Sequence, residues 1–527
     1  MKYLFAVVLS LVFLSNSLAQ GQAVKIYNKD STLMGSGVMI NSKMDGLWKF
    51  INPKTNSLIQ QGIFKNGLKD GQWATYHSNN RRHIVADYKN NQLSGAYMEF
   101  DRDGALIKEG VYQDSLLVGP YREFYGTTGR NSYVDPKQVK TEGRYVEGKK
   151  DGEWLSYYEN GQLAVKQTIV NEVKEGPYFE YTPSGELAVQ ITYQNNLPHG
   201  DFKRFSVNKR VLEEGRYDQG RKVGEWNSYF PETNILASEK VYDSSGKRTG
   251  TWTFYYENRR TARVEIYEND ISVGTWEEFF PNKALSKKMT YEVGVPVGEF
   301  EENHSNGKPS VRGVYESGMK SGIWKSYFPE GNLYSIGEYR NDQRTGLWKY
   351  FNKIGILVAE GEYKLGTEDG QWFYYYDGGQ LKSVGSYFLG QEDGVWGLFY
   401  DNKQLTQEET WRFGSLINVG AYNNFLGTKQ LSPGSLKDGV GTRITYYINE
   451  SLESEGNYIG GKGDGNWKYY HDNGKLASEG RMAEGKKEGS WKYYSRAGNL
   501  EDIITFKNDE IVEEEVQRDD LLFQNFN

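Results

Sequence analysis

Apolar and polar residues alternate along this chain in short runs, and the runs return in phase. Trp467-Lys468-Tyr469-Tyr470 comes back 24 residues later as Trp491-Lys492-Tyr493-Tyr494. With the tryptophan position taken as a slot, its occupants are Trp48, Trp73, Tyr97, Tyr121, Trp154, Tyr178, Phe202, Trp226, Trp252, Trp276, Phe300, Trp324, Trp348, Trp372, Trp396, Tyr422, Arg443, Trp467 and Trp491. That makes 19 slots, and 13 of the 18 intervals between them are 24 residues. A glycine stands two residues before every slot. The signature is complete at Gly46 and Trp48, Gly71 and Trp73, Gly152 and Trp154, Gly224 and Trp226, Gly250 and Trp252, Gly274 and Trp276, Gly322 and Trp324, Gly346 and Trp348, Gly370 and Trp372, Gly394 and Trp396, Gly465 and Trp467, and Gly489 and Trp491. Three residues after the slot stands an aromatic, as at Tyr76, Tyr229, Tyr327 and Tyr494, with Ile51 and Asn303 as departures.

Turn residues follow the aromatics (Asn160-Gly161, Asn306-Gly307, Asn473-Gly474), then an apolar residue (Leu163, Leu333, Leu476), then Gly-x-Tyr as in Gly337-Glu338-Tyr339, then a short polar link. Short strands with no 3.6-residue period exclude helical repeats, and Asn-Gly between aromatic runs is a strong hairpin signal. The pattern predicts an all-β fold: an elongated single-sheet array of about 19 stacked antiparallel β-hairpin repeats of 24 residues. About 38 strands at ~4.8 Å each would extend roughly 180 Å. Such an array has no compact core, and each repeat buries its rings against its neighbours. Two hairpin registers are open. A two-residue turn sets the slot ring across from the second-strand glycine, so that large rings cover bare backbone. A three-residue loop with a glycine bulge instead sets the second aromatic against the leucine. The first accounts for both glycines at once and is preferred.

These residues resemble a known family. Tyr363-x-x-Gly366-x-x-x-Gly370-x-Trp372 and its siblings are similar to the MORN repeat, and more closely to its bacterial variant, over about residues 25 to 507. The resemblance implies β-hairpins stacked into a long twisted sheet. Family roles are mostly scaffolding, dimerisation and membrane association, and some bacterial members are labelled as antitoxins. None of those roles travels on particular residues.

Ahead of the array stand Met1-Lys2, an apolar run from Leu4 to Leu14 broken only by Ser10, and Ser17-Leu18-Ala19. That is the layout of a secretory signal peptide, and it is too short for a transmembrane helix of roughly 20 residues. The expectation is export to the periplasm, the cell surface or the medium. The organisation read from the chain is residues 1–19 as signal peptide, 20–400 as repeats, 401–442 as an irregular region, 443–507 as repeats and 508–527 as an acidic C-terminal tail. Near 126–138 the interval from Tyr121 to Trp154 stretches to 33 residues, an insertion of the kind a surface tolerates. From Trp396 through Tyr422 to Arg443 the intervals are 26 and then 21, and Arg443 holds a tryptophan slot. A decayed repeat is the preferred reading there.

Composition narrows the function. The chain has 527 residues, no cysteine, 41 Tyr and 13 Trp. Disulfides, thiolate metal sites and a cysteine nucleophile are thereby excluded. The formal charge is −7 with no long basic run, which argues against nucleic acid and against anionic lipid. His77, His304 and His471 fall at one repeat position, four after the slot, where Tyr158, Phe328 and Tyr376 stand elsewhere, and they read as surface variants of it. Asp101-Arg102-Asp103-Gly104 faintly suggests a calcium loop but lacks further ligands and reads as a hairpin turn. Gly460-Gly461-Lys462-Gly463-Asp464-Gly465 looks like a phosphate loop yet fills the link of a repeat. No catalytic residue, cofactor or metal site is expected. The reading is a non-catalytic exported scaffold that mediates protein–protein interaction at the bacterial cell envelope. Its alternative is a glycan- or cell-wall-binding module using exposed Tyr and Trp. An enzyme hidden in 401–442, an antitoxin or immunity-type protein, and a membrane-associating MORN protein stand behind these two.

Overall fold

Asn341 and Asp342 occupy a link between repeats, and they close a two-residue hairpin turn with φ of 50° and 65°. The computed structural model describes residues 21–127 and 135–516. The predicted signal peptide, most of the insertion near 126–138 and the last eleven residues of the predicted tail lie outside them. Among the described residues every regular element is a β-strand, so the all-β expectation holds.

The repeat around Trp324 shows how the sequence makes the fold. Strands Met319–Tyr327 and Leu333–Arg340 pair antiparallel, with Trp324 across from Gly337 and Gly322 across from Tyr339. This is the preferred register, but the turn that produces it is not a two-residue one. The Phe328 N–H donates to the Asn332 carbonyl at 2.9 Å, and the Gly331 N–H donates to the Phe328 carbonyl at 2.8 Å. Pro329-Glu330-Gly331 is thus a three-residue loop ending in a left-handed glycine, φ 97°, and it sets Tyr327 against Leu333. Both predicted pairings coexist because the register shifts between Ser326 and Tyr327, where Tyr334 bulges out. The two-residue turns sit at the links instead. Their twist matches that of the flanking strands, so the link continues the sheet rather than merely joining hairpins.

A second irregularity explains the glycine before each slot. Ile336 pairs with Lys349 and Glu338 with Thr345, which leaves Gly337 facing Gly346-Leu347-Trp348. Gly346 takes φ 62° in this bulge, a conformation costly for any residue with a Cβ. The bulge turns the Trp348 ring back over Gly337, where an added Cβ would lie 2.2 Å from the indole. The indole N–H then donates to the Glu338 carbonyl at 3.2 Å. Gly62, Gly337, Gly361, Gly385 and Gly480 each have one tryptophan across from them and the next one lying on top of them.

The chain divides into two compact units. The first runs to Thr261 and takes in Tyr267–Asp270; the second comprises Ala262–Ile266 and the residues from Ile271 onward. Within the second unit the regular ladder ends at strand Ser415–Val419. A two-stranded ribbon of Tyr422–Asn423 and Gln430–Leu431 follows, and a seven-stranded sheet begins at Gly441–Tyr446. That sheet closes with Glu510–Val516 paired on Leu500–Lys507. The segment read as a tail from residue 508 therefore begins as one more strand, and its acidic sequence suits an edge that must not recruit others.

Candidate interaction surfaces

One face of the sheet carries the slot rings. Trp48 and Trp491 are fully buried, and no other slot tryptophan except the half-buried Trp276 exceeds 8% exposure. In the second unit Trp348, Tyr350, Trp372, Tyr374 and Trp396 stack in turn, with centroids 5.9 to 6.4 Å apart and planes within 24–27°. Tyr339, Tyr363 and Tyr387 meet them edge-on at 5.1–5.2 Å. Such pairs contribute about 0.5–1.5 kcal/mol each beyond the area they bury. Lysines close the face from above: Lys222 lies 3.8 Å from the Trp226 ring, Lys150 4.3 Å from Trp154 and Lys320 4.5 Å from Trp324. Apart from the half-buried Trp276 and Trp411, the tryptophans offered above as sugar-stacking groups are sealed. Among the described residues the exposed large rings are Tyr27, Tyr334, Phe388 and Phe413.

The opposite face is tied by tyrosine–glutamate pairs. The Tyr157, Tyr229, Tyr375 and Tyr470 hydroxyls donate to Glu142, Glu214, Glu360 and Glu455, each fifteen residues earlier, at 2.7–2.9 Å. Burial, and then the glutamate beside each phenol, push all four hydroxyls up to about 12.

Both edges carry bonds from one repeat to the next. At the three-residue loops, Asn160, Asn306, Asn402 and Asn473 donate their side-chain amides to carbonyls of the following loop, at Pro183, Pro329, Phe425 and Arg496. In each Asn-Gly of these loops only the glycine takes a positive φ, while the asparagine makes this bond and accepts through Oδ1 from the N–H two residues on. Beside it, the Tyr158, Tyr376 and Tyr447 hydroxyls donate to carbonyls 23 residues on. His77, His304 and His471 make the same contact through Nε2, to Phe100, Tyr327 and Tyr494 at 2.9–3.0 Å. They are therefore not free surface variants. At the links, the Asp342 N–H donates to the Lys320 carbonyl and the Asp509 N–H to Lys487, each at 3.1 Å.

The irregular region holds an ion pair that the sequence reading missed. Glu409 stands where a second-strand glycine belongs, across from Trp396. Arg443 stands in a tryptophan slot, across from Gly456. The two are bonded to each other, with Glu409 only 4% exposed. Trp411 adds its indole N–H to Glu409 at 3.0 Å. Burial works against the Arg443 charge, but Glu409 and Tyr458 outweigh it and hold the guanidinium above its ordinary value. Beside the pair Gln407 is fully buried and donates to the Gly420 carbonyl at 3.0 Å. A glutamate in place of the glycine of Gly-x-Tyr was the available signal.

The remaining predicted features resolve simply. The Asp101 carboxylate accepts from the Asp103 and Ala105 N–H groups, each at 2.9 Å, and from the Thr127 hydroxyl at 2.6 Å. Burial raises its pKa, yet the bonds from Thr127, Ala105 and Asp103 together win and hold it low. Its oxygens are used to anchor the start of the insertion. Gly460 and Gly461 form a link turn and run into strand Lys462–Tyr470, not a helix. Among the described residues no helix is long and apolar enough to cross a membrane, and no group of three or more His, Cys, Asp or Glu could hold a metal. A shallow cavity of about 680 Å³ lies beside the first strand, lined by Val24, Lys25, Tyr27, Val38, Leu47 and Lys49 among others.

No curated protein matches this chain. Solved structures that align with it include the TcdB2-TccC3 complex, at 10% identity and TM-score 0.13, over 94% of this chain and 31% of that one. The Photorhabdus luminescens Tc holotoxin pore aligns at 10% identity and TM-score 0.12, over 94% of this chain and 30% of that one. The chain thus spans under a third of the length of those structures, and superpositions so poor carry no argument. Six segments match the family described as MORN repeat variant: residues 150–171, 174–195, 320–341, 368–388, 463–482 and 487–508. Each match begins four residues before a slot, at Trp154, Tyr178, Trp324, Trp372, Trp467 and Trp491. They share the phase, the bulged glycine and the sealed ring of the repeats between them, and the chain is a repeat protein of the MORN-variant family.

Proposed function

We propose that this protein is an exported, non-catalytic scaffold that binds other proteins at the bacterial cell envelope. The sealed ring ladder carries the reading. The residues that recur in phase are bound to the neighbouring repeats, through stacking on one face, Tyr–Glu bonds on the other and hydrogen bonds along both edges. What is left for a partner is the set of exposed residues that differ from repeat to repeat, spread over a long contact area. Proteins bind such areas without a deep pocket. Export is supported by the charge, apolar run and small-residue triplet before Gln20.

The test is affinity capture with residues 20–527 from detergent-solubilised envelope, analysed for proteins and glycans together, with N-terminal sequencing of the protein from fractionated cells. One or two proteins recovered in fixed stoichiometry, and a mature N-terminus near Gln20, are expected. Glycan retained without protein, or an uncleaved chain in the cytoplasm, would overturn the proposal.

A further inference from the structure

One row of side chains at the link turns is not explained by the fold. The first residue of each two-residue turn is left-handed. It is Asn at positions 41, 66, 90, 171, 195, 269, 341 and 508, a residue whose short polar side chain accepts that conformation, and another polar residue at Asp114, Glu147, Gln219, Ser317 and Glu484. In four turns it is apolar instead: Val293, Leu365, Leu389 and Phe413, with φ of 47–52°. The last three belong to consecutive repeats and are 72%, 64% and 57% exposed. Phe388 joins them at 47%, its ring 5.8 Å from that of Phe413. Bulky residues are outliers in this conformation, and here each stays more than half exposed. Strain kept at exposed positions points to a use outside the fold.

The same repeats change charge. Lys150, Lys222 and Lys320 stand four residues before their tryptophans and lie over the rings. Before Trp372 and Trp396 that position holds Glu368 and Glu392, each followed by an aspartate, Asp369 and Asp393. Leu-Gly-x-Glu-Asp-Gly occurs twice in succession, at 365–370 and 389–394. These acidic groups follow the apolar apices by three and four residues; Glu368 also accepts from the Tyr363 hydroxyl at 3.0 Å and Asp393 from the Phe413 N–H at 3.3 Å, and the apices repeat every two strands, about 10 Å apart.

We infer that this row is a docking edge for a basic protein segment with apolar anchors. Leu365, Leu389 and Phe413 receive the apolar side chains, and Glu368, Asp369, Glu392 and Asp393 receive lysine or arginine between them. The inference rests on the scaffold reading and names the partner's chemistry. Acidic flanks repel an anionic lipid surface and a second copy of the same edge. In a polyproline II segment, with three residues per turn and about 3.1 Å of rise each, every third residue returns to the same side about 9 Å along, close to the spacing of the apices.

The test uses the mature chain and a fluorescein-labelled peptide of repeating Leu-Lys-Lys, read by anisotropy, with Ser-Lys-Lys as the equally charged control. The variant carries Leu365→Asn, Leu389→Asn and Phe413→Asn together, asparagine being what most other turns use. It is expected to melt no lower than wild type and to bind Leu-Lys-Lys on the order of tenfold more weakly. Glu368→Gln with Glu392→Gln should weaken binding likewise, and Ser-Lys-Lys should not bind. Equal binding to wild type and variant, no binding to either, or a variant that melts lower would overturn the docking edge. So would self-association of the wild type that the variant abolishes, since that assigns the row to a second copy. A captured protein that holds wild type and variant equally would also remove this edge while leaving the scaffold standing.

Discussion

Glu409 and Arg443 occupy positions that in regular repeats belong to a glycine and a tryptophan, and they meet as a buried ion pair. Where Gly337 leaves room for the Trp348 ring, Glu409 fills that room and meets a cation. The interruption of the sheet at residues 420–440 is thus a joint with its own internal logic. A charge left alone in such a place is expensive. Arg443→Met and Glu409→Leu should each cost about 3–5 kcal/mol, and the double variant clearly less than their sum. Denaturant unfolding followed by a probe in residues 441–507 checks this, and strict additivity would show that the two groups do not depend on each other.

Gly337→Ala should destabilise its repeat by about 1–3 kcal/mol, because the new methyl meets the Trp348 ring and the sheet must give. Trp348→Leu in the same chain should recover part of the loss. Each repeat leans on its neighbours alone. Hydrogen exchange should therefore quicken at residues 319–364 and stay unchanged at 462–507.

The histidine tautomer is dictated by its partner. His77, His304 and His471 each face a backbone carbonyl with Nε2, and a carbonyl only accepts, so Nε2 carries the proton. Nitrogen-15 NMR should find the Nε2–H form at all three. His304→Tyr should be nearly neutral, since tyrosine makes this bond in sister repeats, whereas His304→Phe should cost about 0.5–1.5 kcal/mol.

The array should fail in alkali. Tyr157, Tyr229, Tyr375 and Tyr470 keep their protons up to about 12 when folded, against about 10 in the unfolded chain. A raised folded value means stability that is full below pH 10 and drains as pH climbs from 10 to 12. Circular dichroism across that window should show a steep loss. Glu360→Gln, which keeps an acceptor without the charge, should bring deprotonation of Tyr375 to lower pH, because the carboxylate is part of what holds the phenol protonated.

Much of this fold was legible in the chain. The slot phase and the ring positions follow from spacing alone, because a strand's two-residue period leaves few ways to bury one ring per repeat, and the pairing of tryptophan with glycine is the preferred one of two registers the spacing leaves open. The lengths of the turns were not legible, since the two-residue turns lie at the links, which the sequence marks only as short and polar. Asn160-Gly161 looks like a two-residue turn, but its asparagine serves a neighbour that becomes visible only when loops stack. The histidines were misread for the same reason, their partner lying 23 residues ahead. Glu409 is legible only at the glycine position it replaces, which the spacing of the tryptophan slots does not mark.

In the proposed scaffold the repeats hold each other and leave their variable surface to a protein partner. Photo-crosslinking in living cells tests it most directly, with one reactive residue placed in turn at an exposed position of each repeat, such as Ile323, Leu347, Leu365, Leu389 and Val395. The account predicts crosslinks to the same envelope protein from several successive repeats. Crosslinks to no protein at any position, from a chain retained in the envelope by glycan, would contradict it.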